Sequence, residues 1–380
     1  MKSSCRNGDA LYHVSDGRER KKVYDALRRV GLSYDENVRA LIGSAASTGM
    51  LSHLIDLSLD ATHLMYHGSK RLKEWGAPFS TWLNRSFPGL NPMTAYDLAS
   101  GLFLHVFDFA CKASVSNRAY GKGKVMLGRV KGCVELLEKA SIRVRSVTGD
   151  EAFFSYVLLK WLTDSRVSYR LAVSSRSVLR DYVPEIERWV SMKDGRLIGA
   201  FRGAVYRGIK TNLLAVKHRG STYLYVTSSG RLGAPGAMKE YWRRGKHEKA
   251  IGYLKSFLSF ARMPSTKLSK IRGHVFSCLL LYVLLRRTAQ ELGIDQGDGV
   301  SPATMQALLE RPGVVKIVKD EGEGTTTRKV MALIVVNRSL MRKIRRSRLE
   351  IGESVIELLE FRQSRSNRHA EDFFAWNTRL

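Results

Sequence analysis

Four residues in the second half of the chain have types and spacing suited to chemistry on a polyanion. In Tyr241–Lys255, YWRRGKHEKAIGYLK, a tyrosine is followed by an arginine after three positions, a glutamate after seven and a lysine after fourteen. Read as one helix at about 100° per residue, Tyr241, Arg244, Glu248 and Lys255 project at about 0°, 300°, 340° and 320° and share one side. Ala250, Leu254, Phe257, Leu258 and Ala261 cluster about 100° away as a core face. Taken alone, Glu248 is an ordinary solvated acid with Arg244 and Lys255 as neighbours. Two other acids change the question. Asp60 ends an apolar run, and Asp150 follows Gly149 at the end of another. Carboxylates brought together from two strand ends and a helix can hold two divalent ions about 3.5–4 Å apart. One ion activates a water or 3′-hydroxyl for attack on a phosphodiester, and the other stabilises the leaving oxygen. Hard Mg²⁺ or Mn²⁺ suits such oxygen ligands and keeps several waters, so few protein ligands are needed. Three acids drawn from 35 do not by themselves define a site.

The elements that must carry these acids can be read from periodicity. After His53, Ile55, Leu57 and Leu59 alternate with Asp56, Ser58, Asp60 and Thr62, which predicts a strand ending near Asp60. A loop rich in Gly and Pro follows (Gly76, Pro78, Pro88, Gly89, Pro92), then one or two strands within Gly101–Val115. Lys124–Ala140 reads as a helix, Ile142–Asp150 as a strand, Phe153–Leu162 as a helix and Tyr169–Ser175 as a strand. Strands alternating with helices predict an α/β fold with a mixed sheet covered on at least one face. Residues 195–238 are different in kind, with Arg196, Arg202, Arg207, Lys210, Lys217, Arg219 and Arg231 and no acid at all. Short β-like pieces there carry Tyr206, Tyr223 and Tyr225. This reads as a basic β surface following a phosphate backbone, with aromatics for bases, or as an ordinary meander with packed tyrosines.

The ends read less sharply. Residues 1–48 are basic at Gly17–Lys22 and then helical, either a small DNA-binding module or an arm packed on the main domain. Leu268–Gly293 reads as a second long helix, and its apolar run Val275–Leu285 is shorter than the ~18–20 residues that span a bilayer. Beyond it lie a helical Ser301–Pro312, a hairpin around Gly322–Gly324, and a run from Arg338 to Arg348 with six cations in eleven residues.

Composition sets the partner. Lys and Arg number 63 against 35 Asp and Glu, a net charge of +28, which attracts polyanions and points first to nucleic acid. The hydrophobic fraction of 44% is that of a globular protein. Four scattered cysteines without a Cys-x-x-Cys argue against a zinc knuckle or a disulfide framework and fit a reducing compartment. The first residues, MKSSCRNGDALYH, lack a secretory apolar core, so a cytoplasmic location is expected.

The Tyr241, Arg244, Glu248, Lys255 spacing resembles the tyrosine–arginine–glutamate–lysine (YREK) signature of one large group of insertion-sequence DDE transposases. Asp60-Ala61-Thr62 at the end of an apolar strand resembles that family's first acid. Gly149-Asp150, followed by Phe153, Phe154 and Ser155 opening a helix, resembles its second. The Asp, Asp, Glu order is the family's, as is a β-rich insertion before the glutamate, where this chain has 97 residues between Asp150 and Glu248. The resemblance covers about residues 50–290. It implies a ribonuclease-H-like mixed sheet flanked by helices and interrupted by that insertion, here with a helical N-terminal and an α+β C-terminal addition. The expected division is 1–48, 49–178 and 238–295 as the two parts of the catalytic domain, 179–237 as the insertion, and 296–380.

The resemblance further implies that Asp60, Asp150 and Glu248 are catalytic metal ligands for two Mg²⁺ or Mn²⁺ ions. Tyr241, Arg244 and Lys255 would contact transposon-end DNA. The implied partners are double-stranded DNA, as element ends and as target, and a second copy of the chain in the active complex, with no membrane, in a prokaryotic nucleoid. The activity implied is cleavage at terminal inverted repeats and transfer of the 3′-hydroxyl to target DNA. A related nuclease without strand transfer and an inactive DNA-binding descendant are the alternatives.

Asp56 and Glu151 rival Asp60 and Asp150. Asp56 lies about 13 Å from Asp60 along the strand, so the two cannot share a metal pair. Other motifs fall short. His63 and His67 lack a third ligand, Gly121-Lys122-Gly123-Lys124 lacks the rest of a phosphate-binding loop, and no Gly-x-Ser-x-Gly elbow occurs. Trp75, Trp82, Trp161, Trp189 and Trp242 read as core residues.

Overall fold

The strand predicted from the Ile55, Leu57, Leu59 alternation is the centre of the structure. In the computed structural model it is β1 (Leu54–Ala61), and all three of those side chains are fully buried. The structure describes residues 17–65, 79–80, 85–86, 89–107, 124–174, 176–230, 233–258, 260–261, 263–291, 313–321, 327–336 and 354–359. The expected Ser301–Pro312 helix, the Arg338–Arg348 run, His67, Trp75 and Trp82 lie outside the described residues.

On one side β1 pairs antiparallel with β2 (Met93–Asp97), which pairs antiparallel with β3 (Phe103–Phe107). On the other it runs parallel to β4 (Arg143–Gly149), which runs parallel to β5 (Ser168–Val173). Parallel neighbours need crossovers. The chain supplies α3 (Lys124–Lys139) before β4 and α4 (Tyr156–Asp164) before β5. Their Met126, Val130, Leu137, Leu158, Leu159 and Leu162 are buried. β2 sits directly after Pro92, in a stretch read from sequence as loop. Proline at the strand's edge, rather than inside it, leaves the ladder intact.

The acid-free segment forms β6 (Trp189–Ser191), β7 (Leu197–Tyr206), β8 (Ile209–His218) and β9 (Ser221–Thr227). Its two tight hairpins turn at Arg207-Gly208 and Arg219-Gly220, where all four residues have positive φ. Positive φ at both central positions is the type I′ geometry that matches strand twist. These strands do not form a sheet of their own. β9 pairs antiparallel with β5, giving one mixed nine-stranded sheet in the order β6-β7-β8-β9-β5-β4-β1-β2-β3.

The helix expected from Tyr241 to Ala261 is two helices. α5 (Ala234–Trp242) packs Ala237, Met238 and Tyr241 on Ile198, Leu214 and Val216 of the added strands. After a tight turn at Arg243 and Arg244, α6 (Gly245–Phe257) lies against β1. The break is a local tightening: Arg243 and Arg244 keep helical φ and ψ, while the N–H groups of Arg244, Lys246 and His247 bond three residues back instead of four.

Two further helices, α1 (Gly17–Leu32) and α2 (Tyr34–Ser47), are fastened to this body. Tyr34 is buried and donates its hydroxyl to the Val106 carbonyl at 2.8 Å. α1 crosses α7 (Leu268–Glu291) where Gly31 and Gly273 meet. A Cβ on Gly31 would overlap the Ser269 carbonyl, and one on Gly273 the Leu27 carbonyl.

By length and composition alone, Leu268–Arg287 in α7 could cross a membrane. Its Ile271, Val275, Leu279, Tyr282 and Arg286 are buried inside the protein, and Arg286 donates to the Ser100 carbonyl at 2.7 Å.

The chain divides into two compact units, residues 1–290 with 295–302, and residues 291–294 with 303–380. In the second, the hairpin expected around Gly322–Gly324 is β10 (Gly313–Glu321) against β11 (Thr327–Val336), with β12 (Ser354–Leu359) on the other side of β10.

Candidate active site

Each of the three acids is presented by a specific local device. Asp60 is the last but one residue of β1, one position past the end of its pairing with β4 and still paired with Thr94 of β2. Its Oδ1 accepts the Ala61 N–H at 2.9 Å. Asp150 follows β4. Phe153 packs so closely on Gly149 that a Cβ there would sit 3.0 Å from the phenylalanine Cβ, which accounts for glycine before the aspartate. Asp150 caps the 3₁₀ turn Glu151–Phe153 by accepting the Ala152 N–H at 3.0 Å. Ser155 then caps α4. Glu248 stands in the first turn of α6, where a carboxylate complements the helix dipole.

One guanidinium gathers all three. Arg244 Nη2 lies 3.0 Å from Asp60 Oδ1 and 3.6 Å from Asp150 Oδ2, and Arg244 Nη1 lies 2.5 Å from Glu248 Oε1. The Arg244 and Asp60 side chains are only 12% and 13% exposed, against 55% for Glu248. Burial raises the Asp60 carboxyl to about 6; Arg244 works against that, and the charges of Asp150 and Glu248 add to it. Burial also raises the Asp150 carboxyl, with Arg244 again opposing. One cation among three carboxylates leaves an excess of negative charge in a desolvated place, which is a cation-binding electrostatic.

Lys255, half-buried on α6, is a second cation that feels the charge of Asp60 and offsets part of that excess. Burial lowers its ammonium pKa and the charge of Asp60 raises it. Tyr241 is buried on α5 with its ring 4.5 Å from that of Tyr225, and burial raises its phenol pKa. The six residues singled out in sequence therefore surround one place, although Tyr241 and Glu248 belong to different helices.

The rivals separate cleanly. Asp56 is buried and bound by Arg145, with its Oδ1 accepting the Ser146 hydroxyl at 2.6 Å. Although burial opposes it, those bonds and the charges of Arg145 and Arg170 hold its carboxyl below the ordinary range. Glu151 is exposed. Two residues that sequence reasoning did not single out belong to the surroundings. His247, next to Glu248, and Thr94 on β2 are both buried and lie 2.9 Å apart between Nε2 and Oγ1. The only signal was a polar residue inside a helix face beside Glu248, which looks like many others.

Of the three tyrosines in the basic segment, Tyr225 packs on Tyr241 and Tyr206 on Phe154 at 4.9 Å, while Tyr223 is exposed. The three described tryptophans read from sequence as core are half-buried cation platforms, Trp242 under Arg196 at 3.9 Å, Trp189 under Lys217 at 4.0 Å and Trp161 under Lys131 at 5.8 Å. A separate cleft of about 380 Å³, lined in part by Arg166, Ser168, Tyr169, Lys210, Asn212 and Ser228, contains none of the acids.

No curated protein matches the chain. One similar solved structure is the piggyBac transposase in a synaptic complex with hairpin DNA, at 15% identity and a TM-score of 0.41. The match covers 63% of this chain and 48% of that one, so the chain spans about half the length of the protein it resembles. A family model described as a transposase DDE domain matches residues 53–284, which include Asp60, Asp150 and Glu248. That is more than half of the 380 residues. The chain belongs to the transposase DDE-domain family.

Proposed function

We propose that the protein is a DNA transposase that cleaves the phosphodiester at the ends of a mobile element and joins the freed 3′-hydroxyl to target DNA. The observation that carries this reading is the convergence of Asp60, Asp150 and Glu248 on Arg244 within a transposase DDE domain. The strand order β3-β2-β1-β4-β5, antiparallel on one side of β1 and parallel on the other, supports the ribonuclease-H-like expectation.

The donor set fits hard divalent ions. All three ligands are carboxylates, two of them with raised pKa values that a bound cation would relieve. No three His, Cys, Asp or Glu side chains among the described residues close to metal-binding distance, because the guanidinium lies between the acids. Two Mg²⁺ or Mn²⁺ ions on these residues would activate the attacking oxygen and stabilise the leaving one.

The chain's own residues do the rest. β1 and the turn after β4 carry Asp60 and Asp150, and the first turn of α6 presents Glu248 to the same guanidinium. Arg244 serves anions in turn, the carboxylates in the arrangement seen here and a DNA phosphate when an element end enters. Lys255 is a second phosphate contact, and Tyr241 borders the cut. The +28 charge and the exposed Arg202, Arg207, Lys210, Lys217 and Arg219 supply the wider attraction for duplex DNA. Joining two ends calls for two copies of the chain in the active complex.

The test is a cleavage and joining assay with the element's own ends, a target plasmid and Mg²⁺ or Mn²⁺. The DNA flanking the reading frame supplies the ends, as short inverted repeats. Wild type yields nicks and joined product, and Glu248→Gln yields neither while binding the ends with nearly unchanged affinity. Cleavage that survives Glu248→Gln refutes the site. Nicks without joined product would make the protein a nuclease instead.

A further inference from the structure

We infer that His247 is a positioning residue that locks the helix carrying Glu248 to the strand carrying Asp60, and so sets the distance between the two carboxylates. The inference rests on the proposed metal-dependent site and goes on to ask what fixes its third acid.

His247 is fully buried, between α6 and the polar face of β1 and β2. Its Nδ1 lies 3.0 Å from Ser58 Oγ on β1, and its Nε2 lies 2.9 Å from Thr94 Oγ1 on β2. Ser58 stands opposite Tyr96, and Asp60 opposite Thr94, in the β1–β2 register. The imidazole therefore spans the two rungs that lead into Asp60. Its ring stacks on Tyr96, at 4.8 Å and 4° between planes, and meets the edge of Phe103 at 5.6 Å.

The protons can be assigned by counting. Thr94 has one hydroxyl hydrogen and donates it to the Asp60 carbonyl at 3.1 Å. Thr94 Oγ1 must then accept from His247 Nε2–H. Nδ1 is left as an acceptor for the Ser58 hydroxyl, and every polar group of the ring is satisfied. The chain of contacts runs from the residue before Glu248, through Thr94, to the peptide of Asp60 itself.

A leucine would fill this place and bury more cheaply, since a buried polar ring gains only what its partners return. What leucine lacks is direction. Two bonds at opposite ends of one ring fix the rotation of α6 about its axis. Glu248 Oε lies roughly 6 Å from such an axis, so a 15° rotation would move it by about 1.5 Å. Misplacement of about 1 Å can cost a site about a hundredfold.

The experiment measures Mn²⁺ binding by electron paramagnetic resonance on the protein with its end DNA, alongside the metal dependence of nicking and the thermal melt. His247→Leu should fold with a melt at or above wild type, yet bind Mn²⁺ about tenfold or more weakly. His247→Gln, which keeps a donor near the Nε2 position, should recover to within about threefold, and His247→Asn, which reaches only Ser58, should not. Thr94→Val removes the same link from the strand side and should match the leucine variant, which keeps the test intact if His247→Leu does not fold. Wild-type Mn²⁺ affinity in folded His247→Leu or in Thr94→Val overturns the inference, and so does equal weakening by all three histidine replacements, which would mark a mere packing role. If wild type itself binds no Mn²⁺ with DNA present, the metal-dependent reading fails and takes this inference with it.

Discussion

The two ends of β1 carry aspartates on the same face, four residues apart, in opposite electrostatic states. Asp56 has Arg145 to itself, the Ser146 hydroxyl at 2.6 Å and the charge of Arg170 nearby, and its carboxyl is held below the ordinary range. Asp60 shares one guanidinium with Asp150 and Glu248, and its carboxyl is pushed up to about 6. Both side chains are largely buried, at 7% and 13% exposure, so burial does not separate them. The ratio of cations to carboxylates does. Where each acid has its own partner, the group is structural. Where three acids divide one partner, charge is left over for a ligand from outside.

The largest effect expected from this contrast is on chemistry. Asp60→Asn should lower end cleavage by about 10³-fold or more, since it removes one of the proposed metal ligands. Asp56→Asn, once corrected for the folded fraction, should cleave within about threefold of wild type. Single-turnover nicking of a labelled element end measures both. A comparable collapse in the two variants would erase the distinction between the strand's ends.

Much of this arrangement was legible in the sequence because it rests on local pattern. The alternation of Ile55, Leu57 and Leu59 fixed a strand and put Asp60 near its end, and Gly149 before Asp150 marked the second strand end. The partition between Asp56 and Asp60 was not legible from charges alone. It depends on Arg145, which is 89 residues from Asp56, and on Arg244, which is 184 residues from Asp60. The break at Arg243–Arg244 gave no signal either, since both residues are good helix formers, keep helical φ and ψ, and only shift to bonds three residues back. The direct joining of the basic strands to β5 was also hidden, because the unpaired edge of β5 gives no signal in composition.

A smaller effect, of opposite sign at the two ends, is expected in stability. The folded pKa of Asp56 lies below its ordinary 3.8. Its contribution is therefore present above about pH 4 and is lost as pH falls through the lower folded value. The folded pKa of Asp60 is raised to about 6, so its contribution is full below 3.8 and is lost as pH rises through about 6. In metal-free buffer at pH 7.5, Asp56→Asn should cost roughly 1–3 kcal/mol and Asp60→Asn should gain roughly 1–2 kcal/mol. The Asp60 difference should shrink toward pH 4, whereas the Asp56 difference should persist there and shrink only as pH falls further, through the lower folded value. Urea melts from pH 7.5 down to below pH 4 would record them, and a stabilising Asp56→Asn would contradict the reading of that end as a matched pair.

The smallest effect sharpens the comparison at the neighbouring strand end. Asp150 and Glu151 are adjacent acids, but Asp150 reaches Arg244 at 3.6 Å while Glu151 is exposed on the 3₁₀ turn. Adjacency to the site is thus separated from membership of it. Glu151 acts on Asp150 only through its charge, as one of several causes that raise the Asp150 carboxyl. Glu151→Gln should therefore leave cleavage within about twofold and stability within about 0.5 kcal/mol of wild type. Removal of that charge should also shift the acid side of the cleavage–pH profile slightly to lower pH, because Asp150 then ionises more readily. Asp150→Asn should lose cleavage as fully as Asp60→Asn. If the two neighbours exchange these outcomes, sharing Arg244 is not what makes an acid part of the site, and the contrast drawn along β1 fails with it.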